Sequence, residues 1–179
     1  MESASTCQGT AGESPERPAG PDGKGWEVDR LAVDEAVRDA FARYQVVGMF
    51  ADVEHGESHV DSWGEAFREQ VLVRASARHP IAWDMRGRPA QSTLANERLV
   101  QAVKDGVVKH TGNVALRRHA LNARRRPNIY GISFGKDRRG SKRKVDGWAA
   151  MLLADMARQE VVMSGKLPSP RDRRVIVLR

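Results

Sequence analysis

Two aspartates stand where carboxylates can support metal chemistry. Asp52 ends the apolar run Val46-Val47-Gly48-Met49-Phe50-Ala51, and Asp146 opens a long apolar stretch through Trp148, Ala149, Ala150, Met151, Leu152, Leu153 and Met156. In open α/β sheets, ligands collect beyond the carboxyl ends of strands, and carboxylates placed there converge on hard cations such as Mg²⁺ or Mn²⁺. Two such ions about 3.5–4 Å apart stabilise both the attacking and the leaving oxygen of phosphodiester hydrolysis. Each aspartate also has a plainer reading. An Asp in a first helical turn caps the helix or complements its dipole, and Asp is common where a strand passes into a loop.

The loop ahead of Asp146 carries Lys136, Arg138, Arg139, Lys142, Arg143 and Lys144. A metal-binding carboxylate would therefore lie beside a surface that attracts phosphates. The alternative is a solvated charge run. Arg117, Arg118, Arg124, Arg125 and Arg126 form a second basic cluster, either a further phosphate track or helix-end stabilisation. His110, beside Gly112 and Asn113, reads as a ligand, a general base or a capping histidine. Glu54, His55, His59 and Asp61 make a polar stretch whose spacing matches no zinc pattern.

These side chains need a scaffold, and the chain has the composition for one. It holds 179 residues, 40% apolar and 30% charged, with a formal charge of +7. That suits a single α/β domain, and the positive balance favours nucleic acid as partner. The single cysteine, Cys7, excludes an internal disulfide and a cysteine-built zinc site. With no long apolar run and no signal-peptide pattern, the reading is of a cytoplasmic protein without a membrane partner.

Residues 1–25 are rich in Ser, Gly, Pro and Glu and read as a disordered leader. Val33, Val37, Ala40, Phe41 and Tyr44 recur at helical spacing. The run at 46–51 predicts a buried strand, 60–68 a helix and Val71-Leu72-Val73-Arg74 a short strand. Helices are expected over Ser92–Lys104, stopped by Asp105-Gly106, and over Val114–Arg126, closed by Pro127. Tyr130–Gly135 alternates like a strand, 136–144 is loop, and Val145–Met163 is helical. A basic tail at 166–179 holds a possible edge strand, Val175–Leu178.

Several signposts in this order are similar to the nuclease half of phage terminase large subunits. They are Tyr44 through Asp52 followed by Trp63, then Lys109-His110-Thr111-Gly112-Asn113 with Leu116, then Asn122-Ala123, then Lys144-Val145-Asp146-Gly147 leading into Ala149-Ala150-Met151. The resemblance implies an RNase H-like mixed sheet flanked by helices over 26–165. It implies that Asp52 and Asp146 are catalytic ligands of Mg²⁺ or Mn²⁺ in a two-metal site, cutting concatemeric double-stranded phage DNA during packaging. On this reading Lys136, Arg138, Arg139, Lys142, Arg143, Lys144, Arg124 and Arg125 hold the DNA. The family's first strand carries another acidic ligand, and no such strand is legible before Trp26; nor is there a phosphate loop for an ATPase. The implied partners are the terminase small subunit, the portal, or a separate chain bringing the ATPase and the first strand. The rival reading is a non-catalytic, basic DNA-binding or scaffold remnant of the same fold.

Overall fold

The computed structural model describes residues 29–54, 57–109 and 112–167. The disordered-leader reading, His55, His110 and the edge strand at Val175–Leu178 lie outside them. Helix α1, Arg30–Arg43, starts at Asp29, whose carboxylate accepts the backbone N–H of Leu31 and of Ala32, each at 3.1 Å. This satisfies donors that a helix N-terminus otherwise leaves unpaired. Strand β1, Ala51–Asp52, leads to α2, Glu57–Ala66, and then to β2, Ala82–Trp83, which pairs in parallel with β1. Helices α3, Pro89–Lys104, and α4, Val114–Asn122, precede an antiparallel hairpin of β3, Arg124–Asn128, and β4, Gly131–Gly135. Helix α5, Asp146–Ser164, follows the basic loop and ends on Gly165 in the left-handed region, φ 67°.

The architecture is mixed α/β, with five helices and two small sheets, one parallel and one antiparallel. Two apolar clusters hold it together. One joins Phe50, Val73 and Trp83 to Leu99 of α3 and to Trp148, Leu152, Met156 and Val161 of α5. The other packs Phe41 of α1 against Val60, Trp63 and Phe67, with Ile81 at its centre; the Phe41 and Phe67 rings stack at 3.7 Å. Among the described residues no helix is long and apolar enough to cross a membrane.

Three sequence expectations are corrected. The helix expected to reach Arg126 stops at Asn122, and Arg124, Arg125 and Arg126 lie in β3 with Pro127; of the three, Arg124 still donates to a carbonyl in the last turn of α4, that of Leu121. Pro127 is tolerated because β3 is an edge strand, bonded only to β4. Val71–Arg74 forms no ladder. Val71 and Val73 are buried as strand alternation suggests, but the chain bends, with Leu72 N–H bonded to Val47 and Ala75 N–H to Pro80. The second parallel strand is Ala82–Trp83 instead, and the ladder in the 46–52 run covers only Ala51–Asp52.

Candidate metal and phosphate site

Asp52 ends β1, which contacts α5, and Asp146 opens α5. Lys166, just past α5, donates from Nζ to the Leu72 carbonyl at 3.2 Å, and Leu72 N–H donates to the Val47 carbonyl at 2.8 Å. One residue on, a Cβ at Gly48 would meet Val161 Cγ2 at 3.1 Å and Ala157 Cβ at 3.6 Å. Phe50 then packs in the cluster with Trp148 and Leu152, and β1 itself contacts α5.

Asp52 is half-buried and Asp146 exposed. Among the described residues neither carboxylate is taken up by an ion pair or a hydrogen bond, although the chain carries 30 Lys and Arg. Their hard oxygens suit Mg²⁺ or Mn²⁺, an ion that binds through one or two carboxylates and fills its other positions with water and substrate phosphate.

Helix α4 fixes the approach to Asp146. Asn113 caps it, its Oδ1 accepting Leu116 N–H at 2.9 Å. One turn apart on α4, His119 Nδ1 accepts the Gly147 N–H at 2.8 Å and Asn122 Nδ2 donates to the Lys144 carbonyl at 2.9 Å. A third tie comes from Asn96 of α3, which donates to the Ile132 carbonyl and accepts the Trp148 indole N–H, both at 2.9 Å. The first turn of α5 is therefore held by α4 and by α3.

Between α4 and the basic loop lies a pocket of about 260 Å³, lined by Arg118, His119, Asn122, Lys142, Arg143 and Lys144. No carboxylate lines it. The structure brings together Lys142, Arg143 and Lys144, as the sequence suggested, and adds three residues from α4. Arg143 also lies 3.7 Å from Asp137, whose carboxyl is held below its ordinary value by a Ser141 hydrogen bond and then by the Arg138 N–H and nearby arginines. Lys136, Arg138 and Arg139 do not line this pocket. The carbonyls of Lys136 and Asp137 accept Arg126 Nη2, which ties the loop to the hairpin. Arg124 and Arg125 are exposed on β3, Arg124 donating to the Leu121 carbonyl at 2.9 Å.

The polar stretch after Asp52 disperses. Glu54 pairs with Arg86 at 3.2 Å, Asp61 with His79 at 3.2 Å, and His59 tilts against the Trp63 ring. Among the described residues no group of three or more His, Cys, Asp or Glu is placed to hold a metal. Asp84 was not singled out by sequence. It follows β2, one position past the residue opposite Asp52, and so shares the carboxyl edge of the parallel pair. Its carboxylate closes a turn, and hydrogen bonds from Gly87 and then Arg86 hold it below its ordinary value. Asn96 and His119 were also missed, because each acts through a partner distant in sequence. A helical-wheel reading of α4 would have placed His119 and Asn122 on one face.

No known family profile matches the chain, and no solved structure does. It is similar to the "Gene 13 protein" of Mycobacterium phage D29, 43% identical over 160 residues, and to that of Mycobacterium phage L5, 42% identical over 160 residues. Each alignment covers 89% of this chain and 26% of the relative, so the chain spans about a quarter of the length of the curated relatives it matches.

Proposed function

We propose that this chain is part of the RNase H-like nuclease of a phage terminase large subunit, cutting double-stranded DNA with Mg²⁺ or Mn²⁺. The observation that carries the reading is that Asp52 at the end of β1 and Asp146 at the start of α5 have no side-chain partner among the described residues, while the loop entering Asp146 lines a pocket with four cations. The two relatives are phage proteins, which is in keeping with it. Asp52 and Asp146 would be the residues that hold the cation. A divalent ion there supplies the Lewis acidity that readies water for attack and eases departure of the leaving oxygen. Lys142, Arg143 and Lys144 bind the backbone and neutralise its charge. The His119 and Asn122 bonds keep Asp146 in position, since placing the ligand is as important as having it.

The parallel pair leaves room for a further ligand. Among the described residues, no second strand pairs with β1 on its side away from β2. An open edge of this kind accepts an added strand. A strand there, from another part of a longer protein or from a second chain, would set its own carboxylate beside Asp52. The dispersal of the other acidic residues favours the second reading, a basic DNA-binding module without hydrolysis.

Nicking of supercoiled plasmid separates the two. The nuclease reading expects conversion to open circles with Mn²⁺ and none with a chelator, lost in Asp146→Asn and in Asp52→Asn. Salt-sensitive binding with no metal-dependent nicking, by the chain or by a form extended to supply the added strand, would leave the binding module.

A further inference from the structure

The pocket between α4 and the basic loop has a feature that charge alone does not explain. Four cations, Arg118, Lys142, Arg143 and Lys144, line one hollow of about 260 Å³ together with His119 and the amide of Asn122. Like charges around a concavity repel one another, and the low-dielectric walls concentrate their field. Arg118, Lys142 and Arg143 are exposed and Lys144 half-buried, so the cations rim an open hollow that a ligand can reach. Here the loop is drawn onto α4 by the Asn122 bond to the Lys144 carbonyl, and α4 is fixed in turn by its Asn113 cap and by the His119 bond to Gly147. The backbone that carries the cations is held before any ligand arrives, which lowers the ordering cost of binding an anion.

We infer that this pocket is a seat for one phosphate group of a nucleic acid, and that it works without metal. The volume takes a tetrahedral oxyanion with room for the adjoining sugar or ordered water. Arg118 supplies the planar fork suited to phosphate oxygens, and the lysines supply point charges. The inference rests on the nuclease reading for its role in cleavage, because it would hold the strand next to Asp146 before the cation binds. Two sources share this chemistry, an internal phosphodiester and a terminal phosphate monoester.

The test is equilibrium binding of the full chain to short duplexes in the presence of a chelator, read by fluorescence anisotropy over a series of salt concentrations. The duplexes share one sequence and end in a 5′-hydroxyl or a 5′-phosphate. Arg118→Gln with Lys142→Gln is expected to weaken binding about tenfold and to flatten the salt slope by about 2. Arg74→Gln with Arg78→Gln removes the same charge outside the pocket and is expected to cost about twofold. A preference for the 5′-phosphate duplex that disappears in the pocket variant identifies the terminal source; equal binding of both duplexes, weakened alike, identifies the internal one. If the pocket variant binds both duplexes as tightly as the control variant does, the inference is overturned. Should the double variant melt early, Lys142→Gln alone, on an exposed loop side chain, decides by the same comparison. Because no metal is present, failure of nicking leaves this result standing, and failure here leaves nicking to be judged by itself.

Discussion

Three aspartates show how surroundings divide one residue type among roles. Asp155, 7% exposed, accepts from Arg98 at 3.1 Å and from Arg158 at 3.0 Å and so joins α3 to α5. Both guanidiniums keep about half of their surface in water, which weakens the cost of stranding them. Asp155→Ala should therefore lower unfolding free energy by about 2 kcal/mol in urea titration, below the full penalty for breaking a buried pair. Asp146 is exposed and, among the described residues, has no such partner. Asp146→Asn should leave stability within about 0.5 kcal/mol of the parent while removing nicking, so that a loss of activity cannot be ascribed to misfolding. Asp34 shows a third role. Hydrogen bonds from Arg38 and then from the Trp63 indole at 2.7 Å hold its carboxyl below the usual value. The folded state prefers the charged form, so this contribution is present above the unfolded-chain pKa near about 3.9. It is lost as pH falls through the lower folded value. Trp63 emission should change over that acid window, and the step should be missing from the difference spectrum of Asp34→Asn.

At the scale of elements, Asn96 is the test of how the site is braced. Its amide serves β4 and α5 at once. Asn96→Ala would leave the buried Trp148 indole N–H and the Ile132 carbonyl without their partner, and should cost about 2–3 kcal/mol by thermal or urea unfolding. The helices α1, α3 and α5 were legible in the sequence because their apolar residues recur at helical spacing over three or more turns, and β4 because Gly131–Gly135 alternates. Strand β2 was not, since two residues, Ala82 and Trp83, are too few to show a period. The Arg124–Asn128 segment misled for a different reason. Arginine favours helices, so the basic run read as their continuation, but register with β4, Arg124 opposite Gly135 through Asn128 opposite Gly131, outweighs that local preference. Position alone singled out the two aspartates as candidates, whereas nothing in the sequence marked the bracing by Asn96, His119 and Asn122. Those bonds link residues 52, 28 and 22 positions apart, and nothing local marks them.

Across the whole molecule, a formal charge of +7 gathers in part around one pocket, next to the loop that enters Asp146, and the carboxylates proposed to bind metal have no protein partners among the described residues. The parallel pair is short and, among the described residues, no strand pairs with its far edge; the relatives are about four times as long as the matched region. These features underlie the proposal of a unit that binds nucleic acid and takes part of its metal site from an added strand. The central claim is that Asp52 and Asp146 share a cation, and a Mn²⁺ titration followed by electron paramagnetic resonance tests it directly, because free and bound ions are counted without any need for turnover. The account predicts a bound population in the parent chain that falls in Asp52→Asn and falls equally in Asp146→Asn, with no further loss in the double variant. Binding that is unchanged in both single variants, or reduced by only one of them, would contradict it.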